Sequence, residues 1–274
     1  MEKDTWCEPG VNCSGNLDYL PLASSRPPKI FWEHPTPYDG NVTSDSNVYL
    51  NATVRDVSNT SAFFDWDNSL VGYWSFEHSN SSGIFDNSTY SNFAEFYGGT
   101  HIENITIGKY GNGLILDGST NNLNCENDSS LDISDNITLE AWIKGADYQK
   151  SENIYIVAKR FAYGLRVYNE TGHSNLGMII RSSDNNSWNG IDTGINILDN
   201  EWHHILGVYD GSVIKIYTDG SLGGTSSSIN DEIFSTKDPL RIGSYTNNYG
   251  NFNGTIDEVR VYNRALSSQE INAS

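Results

Sequence analysis

The sequence predicts an all-β protein built as a two-sheet sandwich, with a smaller β segment in front of it. Short runs rich in β-branched and aromatic residues alternate with clusters of Gly, Asn, Asp and Ser, whereas long helical periodicity is absent. Aromatic residues make up 12% of the chain and are numerous enough to fill a large core. With 274 residues, the chain accommodates one large β domain, or one domain and a smaller companion.

The first 69 residues differ in composition from the rest. They hold six of the seven prolines and only three strand candidates, at 30–32, 47–54 and 62–66. Three strands are too few to close an immunoglobulin-type sandwich, which needs about seven. We therefore expect 1–69 to form an N-terminal tail and a partial immunoglobulin-like β segment, which packs on the following domain or borrows strands from elsewhere.

Residues 70–274 are predicted to form the second domain. In 137–143 the odd positions form one apolar face, and Trp142 needs cover on the other face, which favours a strand between packed layers. The tight-turn pairs Asp210-Gly211 and Asp219-Gly220 bracket 212–218 and predict a meander of three strands. One short helix is expected at 267–271, because Ser267 and Glu270 match a capping box.

Six segments of this second domain combine aromatic strand residues with Gly- and Asp-rich turns, at 70–77, 108–118, 131–144, 202–211, 217–220 and 252–267. In this order they resemble the laminin-G-like, concanavalin-A-like jelly-roll family, and the last segment is the most specific match. The resemblance implies a concanavalin-A-like (laminin-G-like) jelly-roll sandwich over about 70–272. It also implies a partial immunoglobulin-like segment in front, as in extracellular surface proteins.

The charge balance narrows the classes of partner. The formal net charge is −19, which repels phosphate backbones, so we expect no nucleic-acid partner. No run of 18 apolar residues occurs, so we expect no membrane insertion. The first four residues are mostly charged and no apolar stretch follows them, so the sequence shows no secretory signal and is expected to be a mature form or an excised piece.

Acceptor triplets for N-linked glycans are in excess. Random placement of Ser and Thr would give about six, whereas the sequence has 13, at Asn12, Asn41, Asn51, Asn59, Asn80, Asn87, Asn104, Asn127, Asn136, Asn169, Asn185, Asn253 and Asn272. The excess favours covalent N-glycans and an extracellular or cell-surface location. The alternative is that Asn-rich turns of a β protein create triplets by composition.

The three cysteines fall into two groups. Cys7 and Cys13 lie six apart in a stretch with Gly and Pro, which suits a small disulfide loop better than a metal site. Cys125 alternates with Leu123 on an apparent strand face and is expected to be a buried, inert thiol.

The sequence shows no catalytic pattern, so we expect the protein not to be an enzyme. Hydrolase relatives of the fold carry Glu-x-Asp-x-x-Glu, which is absent. In the adjacent pairs Asp231-Glu232 and Asp257-Glu258, side chains of neighbouring strand residues should point to opposite faces and cannot flank one glycosidic bond. His203 and His204 should diverge likewise, which favours packing over metal ligation.

Calcium is the metal that the resemblance implies, at a structural site where Glu77 and Asp257 match acidic positions of the family. A hard cation needs six to eight oxygens, so carbonyls and water would have to join them. The alternative is that Asp257 caps a turn and that Glu77 is solvated.

The loop 245–252 groups Tyr245, Tyr249 and Phe252 with Asn and Gly. Such a rim would stack on sugar rings while its amides bond hydroxyl groups. The simpler interpretation, which we favour, is an edge loop whose Phe252 fills the core.

Three functional classes follow. We favour a structural or adhesive extracellular subunit that self-associates, through exchange of a strand such as 16–22, into a filamentous or cell-surface assembly. The alternative is a calcium-supported carbohydrate-binding module. A glycosidase domain is disfavoured by the missing carboxylate pattern.

Overall fold

The computed structural model describes residues 29–33, 51–55, 67–146, 153–170, 173–184 and 186–272. The chain divides into two compact units, Met1–Phe64 and Asp65–Ser274. In the first unit, β1 (Lys29–Glu33) and β2 (Asn51–Arg55) pair antiparallel, with Ile30 opposite Val54. Several predictions lie outside the described residues: the strand at 62–66, the exchange segment 16–22, the disulfide Cys7–Cys13, and the triplets at Asn12, Asn41, Asn59 and Asn185.

The described part of the second unit forms two antiparallel sheets. The first has eight strands: β3 (Leu70–Trp74), β7 (Ile105–Ile107), β8 (Asn112–Asp117), β10 (Ile137–Gly145), β15 (His203–Tyr209), β16 (Ile214–Thr218), β17 (Ser221–Thr225) and β19 (Asn253–Tyr262). Their order is β17-β16-β15-β10-β19-β8-β7, and β3 also pairs with β19. The expected meander is confirmed, because β15, β16 and β17 are consecutive neighbours.

The second sheet has nine described strands: β4 (Ser79–Asn80), β5 (Gly83–Ile84), β6 (Ala94–Tyr97), β9 (Asn122–Asn124), β11 (Asn153–Lys159), β12 (Tyr163–Glu170), β13 (His173–Arg181), β14 (Trp188–Asn196) and β18 (Leu240–Ile242). Their order is β14-β13-β12-β11-β18-β9-β6-β5-β4. One apolar core lies between the two sheets, so the predicted sandwich is confirmed.

Local sequence signals explain much of this architecture. Ile137, Leu139, Ala141 and Ile143 all enter the core, as the alternation in β10 predicts. The helix α1 (Ser268–Ile271) is confirmed with its capping box, since Ser267 accepts from the Glu270 N–H and Glu270 reaches back to Ser267. Cys125 is free and buried. Over the described residues, no helix is both long and apolar enough to cross a membrane.

A β-bulge in β19 corrects one prediction. Ile256 and Val259 enter the core, but both residues between them, Asp257 and Glu258, lie on the opposite face. The expectation that these two carboxylates diverge is therefore wrong. Glu258 adopts a positive φ of 51°, and the register against β10 shifts at this point, so simple alternation does not hold. Asp231 and Glu232 lie in the connection between β17 and β18, outside any strand.

Candidate functional site

A groove of about 400 Å³ lies on the face of β11–β14 that points away from the core. Four aromatic side chains line it: Tyr155, Trp188, Tyr245 and Tyr249. Tyr155 and Tyr245 stack with ring centroids 4.6 Å apart, and Tyr249 meets Tyr245 edge-on at 6.1 Å. Trp188 is 44% exposed, so a large apolar ring is open to a ligand at the end of β14 that pairs with Arg181.

A polar pair lies in the same groove. Arg166 on β12 donates from one terminal nitrogen to both carboxylate oxygens of Asp192 on β14, at 3.1 and 3.0 Å. The two side chains meet across β13, where a Cβ on Gly177 would come within 2.2 Å of an Asp192 oxygen. Burial raises the pKa of Asp192, and the guanidinium of Arg166 opposes that rise. The groove therefore combines aromatic rings with an internally neutralised pair.

The predicted rim is present in part. Tyr245 and Tyr249 line the groove, whereas Phe252 is fully buried in the core. A Cβ on Gly145 would lie 2.9 Å from the Phe252 ring, which shows how closely the sheet packs on it. This corrects the inclusion of Phe252 in a glycan-binding rim and agrees with the interpretation that it fills the core.

Of the ten lining residues, sequence reasoning identified two, Tyr245 and Tyr249, and missed the rest. The four missed residues on which the site depends are Tyr155, Arg166, Trp188 and Asp192. They come from three strands, and only the register brings them together: Tyr155 opposes Arg166, and Gly177 opposes both Arg166 and Asp192. One signal was available in β14, where Trp188 begins a strand in which Asn, Gly, Asp and Thr outnumber the apolar residues.

A second cluster forms where the opening strand and the last strand meet the loop 108–112. A carboxylate oxygen of Glu77 accepts from the Asn112 backbone N–H at 2.5 Å, and one of Asp257 accepts from the Tyr110 N–H at 2.9 Å. Asp257 thus caps a turn, while Glu77 is half-buried. The two acidic residues that the resemblance singled out both hold this loop.

The resemblance implies a hard cation at this loop, where both carboxylates already accept hydrogen bonds from N–H groups. Asp257 is fully buried, and burial raises its pKa to about 8, with the charge of Glu258 adding to the rise. Burial also raises the pKa of Glu77. A Cβ on Gly108 or Gly111 would approach the Asp257 or Glu77 oxygens to 2.5 and 2.1 Å, so the glycines let the carboxylates close on the loop. In the described ranges no group of three or more His, Cys, Asp or Glu is arranged to hold a metal, so further oxygens would have to come from carbonyls and water.

A buried charge network lies beside this cluster. Arg260 pairs with Glu140 at 2.8 Å and also with Glu258, and the hydroxyl of Tyr73 donates to Glu258 at 2.9 Å. Burial alone would raise the pKa of Glu140, but Arg260 and His204 hold it below its ordinary value. This network accounts for the position of the Glu258 side chain.

The two adjacent histidines have structural roles. His204 stacks on Trp142 with ring centroids 4.9 Å apart and contacts Glu140 at 2.9 Å. His203 lies between two carboxylates, at 2.9 Å from Asp219 and 3.1 Å from Asp199. Hydrogen bonds to carboxylates position both histidines, and ring stacking adds to them at His204.

None of the described acceptor asparagines of the second unit is among the residues that line the groove. Asn80 and Asn272 are exposed, and five others are half-buried: Asn87, Asn104, Asn127, Asn136 and Asn253. Asn51 and Asn169 belong to β2 and β12, and nothing is described of their side chains.

Comparison with known proteins places this geometry in a family. The family model described as the concanavalin A-like lectin/glucanases superfamily matches residues 117–272. Among curated proteins, the chain is 26% identical over 144 residues to the adhesion G-protein coupled receptor V1 of Danio rerio. That match covers 50% of this chain and 2% of the receptor, so the chain spans a small part of this relative's length.

Solved structures share the fold. The binding domain of Paraclostridial Mosquitocidal Protein 1 matches with a TM-score of 0.61 and 18% identity, over 75% of this chain and 51% of that one. Domain 4 of AbnA, an extracellular GH43 arabinanase of Geobacillus stearothermophilus, was solved with arabinotriose. It matches with a TM-score of 0.59 and 20% identity, over 75% of this chain and 97% of that one. The botulinum neurotoxin serotype D ligand-binding domain, solved with N-acetylneuraminic acid, matches with a TM-score of 0.56 and 17% identity, over 75% of this chain and 50% of that one. At these identities the likeness shows the fold.

Proposed function

Because the chain belongs to the concanavalin A-like lectin/glucanases superfamily, we propose that it is a non-catalytic extracellular recognition protein that binds carbohydrate in the groove of the nine-stranded sheet. The observation that carries this proposal is the groove itself, which four aromatic rings and the Arg166–Asp192 pair line together. Sugars present apolar ring faces and hydroxyl groups, and this lining matches both. The solved relatives named as ligand-binding domains support the same class of role.

The groove supports binding rather than hydrolysis. Retaining and inverting glycosidases need two carboxyl groups facing one bond, whereas Asp192 is the acidic residue among those that line the groove, and Arg166 neutralises it. Asp257 and Glu258 share a face, but the loop N–H groups hold the first and Arg260 with Tyr73 holds the second. The proposed activity is therefore recognition.

We predict that Trp188→Ala and Tyr249→Ala each weaken carbohydrate binding at least about tenfold, since large rings at the centre of an interface carry most of its free energy. The measurement is binding of the purified protein to an immobilised oligosaccharide array, followed by titration of the glycans that bind. Phe85→Ala is the matched control, because Phe85 is also exposed but meets Phe93 edge-on and does not line the groove. Equal binding by the Trp188→Ala, Tyr249→Ala and wild-type proteins would refute the proposal.

We also propose that calcium supports the fold through Glu77 and Asp257. The cluster brings together three parts of the chain that are far apart in sequence: Glu77 after the opening strand, the loop 108–112, and Asp257 in the last strand. A cation there would supply the positive charge that the buried Asp257 lacks, and it would fix three segments at once. Its role would be structural, since the cluster lies outside the groove lining.

We further propose that the native protein carries N-glycans, which supports the extracellular location. The expected first sites are Asn80 and Asn272, because both side chains are exposed. The Asn80 side chain accepts from the Ser82 and Gly83 N–H groups through its oxygen, so attachment at its nitrogen leaves this turn intact.

We predict that intact-mass analysis of native material gives more than the 30.4 kDa of the bare chain and that Asn80→Gln removes one glycan. Asn263→Gln is the control, because Asn263 is exposed but is not followed by an acceptor Ser or Thr. A native mass equal to that of the bare chain would contradict the proposal.

Self-association is a second candidate role, and the pair β1–β2 favours it. Among the described residues β1 and β2 form a two-stranded sheet, and such a sheet is marginal in water by itself, so its edges would gain from further strands. We propose that a neighbouring chain supplies a strand through its N-terminal segment.

Deletion of 1–28, which leaves β1 and β2 in place, is expected to abolish assemblies of the native protein. Light scattering and electron microscopy measure them. Unchanged assemblies after the deletion, or a strictly monomeric wild type at high concentration, would exclude the mechanism.

A further inference from the structure

The groove holds two buried polar atoms that lack a hydrogen-bond partner. One is Nε of Arg166, a donor, and the other is Oδ1 of Asn153, an acceptor. The residues belong to paired strands, since Asn153 opposes Tyr168 and Tyr155 opposes Arg166. Leaving such atoms buried without partners is costly, so a ligand that satisfies them gains affinity.

A hydroxyl group satisfies both kinds of atom, because it donates one hydrogen bond and accepts others. A carboxylate or sulfate accepts only, so it would leave the Asn153 oxygen unpaired and would lie near the carboxylate of Asp192. One terminal guanidinium nitrogen already donates to both Asp192 oxygens, so an anion would compete with Asp192 for it. The unpaired atoms therefore match a neutral, hydroxyl-bearing ligand.

The charges around the groove also favour a neutral ligand. Arg166 is the cation among the lining residues, and Asp192 cancels its charge at 3.0 Å. Arg181 on β13 does not line the groove. Its guanidinium lies against the rings of Phe161 and Phe234, at 5.2 and 4.8 Å, and 6.0 Å from the ring of Trp188. The whole chain carries a formal net charge of −19, so the protein repels an anionic glycan as it approaches.

We infer that the groove selects uncharged saccharides and rejects acidic ones, with Arg166 and Asn153 binding a sugar hydroxyl and Asp192 setting the charge preference. This inference rests on the proposed carbohydrate-binding function and adds the class of sugar. Asp192 acts by keeping Arg166 neutralised, so its removal should change which glycans bind.

The test compares two sets of immobilised oligosaccharides of matched length: neutral ones of arabinose, glucose, mannose and galactose, and acidic ones of galacturonic acid or with terminal sialic acid. The wild type is expected to bind its best neutral ligand at least about tenfold more tightly than any acidic one, because like charges repel. That affinity should be the same at low and high salt, since no net charge is involved. Asp192→Asn should lose neutral binding and gain acidic binding that weakens with salt.

Asp184→Asn is the matched control, since Asp184 is an acidic residue outside the groove lining, and it should keep the wild-type preference. Thermal melting of each variant shows that it is folded, and the salt dependence of the wild type tests the inference without any variant. Tighter, salt-sensitive binding of acidic glycans by the wild type would overturn the inference while leaving the proposed function intact. Binding of neither set, or binding that Trp188→Ala leaves unchanged, would overturn the proposed function and the inference with it.

Discussion

Arg260→Met should lower the free energy of unfolding by about 3–5 kcal/mol, because it leaves buried carboxylates without their cation. Glu140 is fully buried and Glu258 is 5% exposed, and both pair with Arg260. When one partner of a buried pair is removed, the remaining charged group stays out of water with nothing to offset its desolvation. At roughly 2–4 °C per kcal/mol for a domain of this size, the melting temperature should fall by about 10 °C.

A surface pair provides the control for this variant. Lys215 pairs with Asp210 at 2.8 Å, but its side chain is 36% exposed, so Lys215→Met should cost less than about 1 kcal/mol. Thermal and denaturant unfolding of both variants measures the difference. If Arg260→Met melted as high as Lys215→Met, the network would not be the stabilising element that its burial indicates.

Calcium should raise the melting temperature by roughly 5–10 °C. A ligand that binds only the folded state adds about 2.7 kcal/mol when its concentration is a hundred times its dissociation constant, and each kcal/mol is worth about 2–4 °C here. Melting curves in calcium and in excess chelator measure the shift. The physical reason is that the cation would neutralise the buried Asp257 and its neighbour Glu77.

Asp257→Asn should abolish this shift while leaving the loop folded, because an amide oxygen still accepts from the Tyr110 N–H. Asp231→Asn, which neutralises an acid outside the cluster, should keep the full shift. If calcium did not change the melting temperature, or if it raised that of Asp257→Asn equally, the result would be evidence against the site.

The elements that depend on neighbouring residues were predictable. The alternation of Ile137, Leu139, Ala141 and Ile143 defines β10, and the spacing of Ser267 and Glu270 defines the capped helix. Each pattern is complete within a few residues, so it can be recognised without knowing which segments pack together, and the tertiary packing is consistent with it.

Features that depend on register were not predictable. The bulge at Asp257–Glu258 requires a left-handed Glu258, a conformation that side-chain identity alone does not indicate. The groove needs Arg166 and Asp192 brought together across the glycine at 177, although 26 positions separate them in the sequence. Tyr245 and Tyr249 were identified as a group because they are close in sequence, and Phe252 was misplaced in that group for the same reason.

The pairing of β3 with β19 determines how the second unit responds to tension. β3 opens the sandwich and β19 is its last strand, and Leu70 lies opposite Tyr262. Both ends of the fold therefore leave from the same end of one antiparallel pair. A pull through these ends first peels α1 away and then separates the β3–β19 hydrogen bonds one after another, instead of shearing them together. The unit would thus lengthen at low force from its opening strand, while the groove on the other sheet is still folded.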